Sequence, residues 1–125
     1  MNTINKSFKQ INLKYKNYNL VCYDSQIGDI TLFLLNGGPG LPCNYLREPH
    51  YEHLVNNGIR IVTYDQLGCG QSSKPKDISL WSIDRYVEEL EFVRNELNLG
   101  KLNLLGHSWG GWLAIEYSLK YQNNL

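Results

Sequence analysis

KLNLLGHSWGGWLAIEYSLKYQNNL, residues 101–125, opens as an apolar strand, reverses at Gly106-His107-Ser108-Trp109-Gly110 and continues as a helix. A Gly-x-Ser-x-Gly reversal forces the serine into a strained backbone. Side chains two residues to either side would collide, which is why glycine stands there. Such strain costs about 1–3 kcal/mol and persists where it serves a function. The stretch therefore predicts a strand–turn–helix with an exposed nucleophilic hydroxyl at its tip, on Ser108. On either side of this turn the chain alternates strand and helix signals. INLKYK and YNLVCYD flank the polar pair KN and predict an antiparallel hairpin. ITLFLLN, IRIVTYD and KLNLL are short apolar runs that predict strands buried on both faces.

Helices are expected between these strands. NYLREPHYEHLVNNG predicts one that ends at Gly58 and is started or broken by Pro49. In SIDRYVEELEFVRNELNLG, the residues Ile83, Val87, Leu90, Val93 and Leu97 share a face. Ser82 is placed to cap the start of that helix and Gly100 to end it. An opening hairpin followed by strand and helix in alternation implies an α/β fold with a mostly parallel sheet and crossover helices. Ligands of such sheets bind beyond the carboxyl ends of the strands. Three glycine-rich turns follow three of the strands: NGGPG (36–40), QLGCGQSS (66–73) and the serine turn.

Acyl transfer at a serine needs two amide donors for the oxyanion: the amide after the nucleophile and one from a neighbouring loop. Trp109 supplies the first here. Gly38 is the preferred residue for the second, with Gly37 next. The turn from Asp65 to Ser72 carries only part of a dinucleotide fingerprint. Ser73 stands where its third glycine belongs, and no helix follows directly. Its expected role is structural, a turn that carries the chain past the pocket.

Composition narrows the function classes. In 125 residues, 42% are hydrophobic and 19% charged, the balance of an ordinary globular domain. Twelve basic residues offset twelve acidic ones, so nothing suggests nucleic acid or an anionic membrane as partner. The opening MNTINKSFKQ lacks the apolar core of a signal peptide, and no apolar run reaches the ~20 residues of a membrane span. The expected location is cytoplasmic. Cys22, Cys43 and Cys69 form no C-x-x-C pair and read as free thiols. Three scattered histidines make no metal site, and no cofactor is expected.

NGGPG, YDQLGCGQSSKP, WSIDRYVEELEFVRNELNLGKLNLLGHSWGG and AIEYSLKYQ together resemble the front half of the proline iminopeptidases, within the α/β-hydrolase superfamily. The resemblance runs from about Leu13 to Leu125 with order and spacing intact, and the GGPG-type loop is its distinguishing part. It implies an α/β-hydrolase fold, N-terminal half, and a serine exopeptidase that releases an N-terminal residue, preferably proline, from a peptide with a free N-terminus. Carried over by position, Ser108 is the nucleophile, while Trp109 and Gly38 give the oxyanion amides. Gly37 and Trp109 border the substrate. The family loop usually opens with histidine where Asn36 stands here. The family's order is serine, aspartate, histidine, so residues 1–125 are expected to form a partial domain that lacks the cap and the C-terminal half. His107, Asp65 and Glu116 are expected to be unable to serve as the base. The chain alone is therefore expected to be inactive. Three readings stay open: one part of a split or longer enzyme whose C-terminal half is separately encoded, a related esterase or lactonase, or a non-catalytic remnant. KLNLL is expected to be an open sheet edge. The helix after it, with Trp112, Leu113, Ile115 and Tyr117, is expected to lack a partner, so the isolated chain is expected to be aggregation-prone, or to survive only by pairing this edge with another copy or with its complementary half.

Overall fold

Apolar residues at alternate positions organise the sheet. A computed structural model describes residues 8–38 and 40–125. Pro39 and most of the polar opening segment lie outside the described residues. Strands β1 (Lys9–Tyr15) and β2 (Tyr18–Asp24) form the antiparallel hairpin. Its two-residue turn, Lys16-Asn17, has positive φ at both positions, 49° and 68°. That turn matches the twist of the paired strands. β3 (Ile30–Leu35), β4 (Ile59–Asp65) and β5 (Asn103–Gly106) complete a five-stranded sheet in the order β1-β2-β4-β3-β5. β3 is parallel to both β4 and β5, whereas β2 meets β4 antiparallel.

Three helices cover this sheet: α1 (Asn44–Asn56), α2 (Ile83–Glu96) and α3 (Trp109–Lys120). Phe33 and Leu35 of β3 and Val62 and Tyr64 of β4 point into one core with Val87, Leu90 and Val93 of α2 and Leu113 and Tyr117 of α3. Leu34 and Ile61 point to the opposite face, where α1 covers them with Leu54 and Val55. The period of two along a strand thus sorts residues between two helix layers. None of the described helices is long and apolar enough to cross a membrane.

Four local expectations need correction. Pro49 neither starts nor breaks α1, which begins five residues earlier and runs through it. A proline there removes one backbone donor, and α1 is held by packing on β4. α2 does not run to Gly100. It stops at Leu97 because Asn98 takes the left-handed conformation, φ 53°. Leu99 N–H then bonds Arg94 O and Asn98 N–H bonds Asn95 O, the paired closure of a Schellman turn. β5 is not buried on both faces. Leu104 joins the α2–α3 core, but Leu105, on the α1 side, is 44% exposed because α1 does not reach this edge. Leu113 and Tyr117 do find partners, in α2 and the sheet. It is Trp112, Ile115 and Leu119, on the other face of α3, that remain exposed.

Within these residues β5 is the edge strand, paired only with β3. His107 N–H donates inward to Leu35 O, whereas Leu102 N–H donates outward to Asn124 O in the C-terminal turn. Alternation along the strand leaves the Leu104 and Gly106 amides facing out. One outward amide is therefore covered and two are not. An edge with so few charges invites pairing. We predict that the isolated 125-residue chain elutes as an oligomer in size-exclusion chromatography. In hydrogen exchange of its dissociated form, Leu105 should be protected and Leu104 and Gly106 fast. A monomer whose Leu104 and Gly106 amides are as slow as that of Leu105 would contradict the edge assignment.

Candidate active site

Ser108 sits between the end of β5 and the start of α3 with φ 55° and ψ −117°, and its side chain is exposed. Two close approaches force this turn. A Cβ on Gly106 would overlap the carbonyl of Gly110, and a Cβ on Gly110 would overlap the carbonyl of Leu35 at the end of β3. The strand and the helix it feeds therefore touch backbone to backbone, and the serine between them has no relaxed conformation to adopt. Trp109 is the first helical residue, so its N–H has no carbonyl within α3 to bond. That free amide and the Ser108 hydroxyl occupy the same end of the helix.

The loop after β3 lies against this turn. A Cβ on Gly37 would stand 3.0 Å from His107 Nδ1 and 3.0 Å from Tyr45 Oη. Gly37 N–H donates to Tyr45 Oη at 2.5 Å, and Tyr45 Oη shares a 2.7 Å hydrogen bond with His107 Nδ1. The Gly37 amide is thus engaged. The Gly38 amide has no partner among the described residues, and Gly38 holds a φ of 127° that favours glycine. Asn36 is fully buried, and its Nδ2 donates to Gly37 O at 2.9 Å and Leu41 O at 2.6 Å. An amide therefore braces the loop from inside.

The third glycine-rich turn closes the site from below. Asp65, at the end of β4, is two strands from β5. Its carboxylate accepts Cys43 N–H at 2.8 Å and Gln71 N–H at 2.9 Å, so it ties two loops together. Gln66 is fully buried, its Oε1 accepting the indole Nε1–H of Trp109 at 3.0 Å. Leu67 N–H donates to the buried carboxylate of Glu89 on α2 at 3.2 Å. Burial pushes the Glu89 carboxyl up, and the Arg85 guanidinium, 2.7 Å away, opposes that. Beside Trp109 an apolar cavity of about 370 Å³ is walled by Leu67, Trp81, Tyr86 and Trp112. Burial pushes the Tyr86 hydroxyl up to about 12, and it donates to Leu67 O at 3.1 Å.

The structure thus brings Ser108, Trp109, Gly37 and Gly38 to one end of the sheet. Among the described residues no imidazole or carboxylate is paired with the Ser108 hydroxyl. His107 is turned to Tyr45, and Glu116 lies farther along α3. All three cysteines are buried free thiols. Burial pushes Cys69 up to about 11 and Cys22 up to about 12, which removes them as nucleophiles. Among the described residues no group of histidine, cysteine, aspartate or glutamate side chains could hold a metal ion. Sequence reasoning missed Tyr45, Gln66 and Glu89. Their partners lie far away in the chain, and only the known strand order brings them together.

Residues 30–125 match the family model described as alpha/beta hydrolase fold. The chain belongs to that family. Among curated proteins, the chain is 48% identical over 98 residues to a proline iminopeptidase of Flavobacterium johnsoniae, covering 77% of the chain and 33% of the relative. It is 45% identical over 116 residues to one of Saccharolobus solfataricus, covering 92% and 35%. The crystal structure of a Mycobacterium smegmatis proline iminopeptidase superposes with a TM-score of 0.84 at 25% identity, over 94% of this chain and 41% of that one. The chain spans about a third of the length of the curated relatives it matches.

The glycines of the turn make a sharp test. Gly106→Ala and Gly110→Ala should each destabilise the chain by about 1–3 kcal/mol or more, because backbone must move to admit the methyl group. Gly111→Ala meets nothing closer than 3.6 Å and lies in α3. It should stabilise by about 0.5–1 kcal/mol through helix propensity. Urea unfolding of the three variants checks the order, and equal effects at 110 and 111 would refute the contact.

Proposed function

We propose that this chain carries the nucleophile and oxyanion half of a serine exopeptidase of the proline iminopeptidase type. The observation that carries the reading is the positive φ of Ser108, an exposed residue at the start of α3, together with Trp109 and Gly38 amides that have no partner among the described residues. Ser108 Oγ attacks the carbonyl carbon of the substrate's first residue. The carbonyl oxygen gains the negative charge, and the Trp109 and Gly38 N–H groups stabilise it. Collapse of the intermediate releases the shortened peptide as an amine and leaves the first residue esterified to Ser108. Water then cleaves the ester. Gly38 is preferred over Gly37 as donor because Gly37 N–H already serves Tyr45.

Substrate class follows from two supports. Curated relatives 45–48% identical to the chain are proline iminopeptidases, and the cavity beside Trp109 is apolar and aromatic, suited to a compact ring. Trp109 walls it, and Gly37 is proposed to border the bound substrate. Proton transfer from Ser108 needs a general base. On the family's order of serine, aspartate and histidine, that base and its orienting acid come from polypeptide beyond these residues. This reading calls for that polypeptide, whether continuous with these residues or separately encoded. Three buried free thiols accord with a reducing compartment such as the cytoplasm.

Activity against a prolyl arylamide tests this directly. The 125 residues alone should show no turnover above background. Supplied with the polypeptide that completes the fold, they should turn over, and Ser108→Ala should then remove activity by about a millionfold. Full activity in Ser108→Ala would refute the assignment, and turnover of aryl esters without prolyl arylamides would replace the peptidase with an esterase.

A further inference from the structure

Gln66 is fully buried at the end of β4, in a loop expected to be only a turn. Its amide touches both loops that flank Ser108. Oε1 accepts Trp109 Nε1–H at 3.0 Å, while Nε2 faces Asn36 Oδ1 at a longer 3.4 Å. Asn36 Nδ2 then donates to Gly37 O and Leu41 O, the carbonyls on either side of Gly38. Only one orientation of this chain satisfies every group. An indole N–H can only donate, so the Gln66 oxygen must face it. The Gln66 NH2 must then face Asn36, and the Asn36 oxygen must face back. That leaves the Asn36 NH2 for the two carbonyls. The relay runs one way, from the residue after the nucleophile to the glycine loop.

Oxyanion donors act when each lies about 2.7–3.1 Å from the charged oxygen. Here the two donors belong to loops after different strands, β5 and β3. Gly38 and Gly40 have φ values of 127° and 117°, open to few residues other than glycine, so the loop needs an external hold on its orientation. Gln66 is itself anchored. The next residue, Leu67, donates to Glu89 and accepts from Tyr86, both on α2. We propose that Gln66 is a positioning residue that sets the separation and orientation of the Trp109 and Gly38 amides through Asn36. The inference rests on the reading of those amides as the oxyanion donors.

The test compares wild type, Gln66→Glu, Gln66→Leu and Asn36→Asp in the polypeptide at its natural length. NMR hydrogen exchange would be read at Trp109 Nε1–H, the Asn36 side-chain amide and Gly37 N–H, with the Leu34 and Val62 amides as controls for the core. Gln66→Glu keeps the acceptor for the indole but sets oxygen against oxygen at Asn36. Trp109 Nε1–H should therefore stay within about twofold of wild type, while the Asn36 and Gly37 protons exchange about tenfold faster, the loss of one hydrogen bond. Gln66→Leu should speed all three about tenfold. Asn36→Asp should repeat the pattern of Gln66→Glu at Gly37. A boronic acid analogue of proline, which mimics the tetrahedral intermediate, should bind Gln66→Glu about tenfold more weakly. Unchanged Asn36 and Gly37 exchange in Gln66→Glu overturns the relay. So does loss of the Leu34 and Val62 protection in that variant, which would make Gln66 a core support and nothing more. Exchange reads the relay whether or not Ser108 reacts. The predicted exchange pattern without any boronate binding would count against the hydrolase reading and leave the relay standing.

Discussion

Gly110 lies against the Leu35 carbonyl, and Gly106 against the carbonyl of Gly110. These two contacts set how closely α3 approaches the ends of β3 and β5. Neither would survive a methyl group. Because the helix starts so close to the strands, the chain has one residue in which to reverse, and Ser108 takes up the whole of the strain at φ 55°. The same closeness brings the loop after β3 under the turn, where Gly37 touches His107. Remove the glycines and the serine, the free Trp109 amide and the glycine loop no longer share an end of the sheet.

Other interactions hold this strained turn in place. His107 N–H bonds Leu35 O, which locks the turn to β3. Behind it, α3 is fastened to α2 through Tyr117 Oη, which donates to Glu91 at 2.6 Å, and Arg94 pairs with the same carboxylate at 2.8 Å. Arg94 and Tyr117 hold the Glu91 carboxyl below its usual range. That contribution is present above the ordinary carboxylate value near 4.3 and is lost as pH falls through the depressed one. The buried pair Arg85 and Glu89 does a different task. It costs desolvation, yet it presents an acceptor to Leu67 N–H and so fixes the loop that carries Gln66.

Local chemistry was legible in the sequence, and partners across the sheet were not. The hairpin, the three helices and the serine turn follow from period-two and period-3.6 patterns and from glycine placement. Ser82 caps α2 as its sequence suggests, accepting Arg85 N–H at 3.3 Å. The errors share a cause. Asn98 outcompeted Gly100 because a left-handed asparagine can close a Schellman turn two residues sooner. Pro49 was overridden by the packing of α1. The exposure of β5 depends on how far α1 reaches across the sheet, which no window of sequence encodes. Gln66, 43 residues from Trp109 and 30 from Asn36, has no local signal at all. The resemblance carried the strand order, and with it the shared edge of the three turns.

The strained Ser108 is proposed to act beside two particular amides, those of Trp109 and Gly38. The most direct measurement is a crystal structure of the polypeptide at its natural length with a boronic acid analogue of proline. The expected result is a covalent bond from boron to Ser108 Oγ, with one boronate oxygen accepting from both Trp109 N–H and Gly38 N–H and the ring against Trp109. Boron bound elsewhere, or an oxygen that accepts from neither amide, would contradict it.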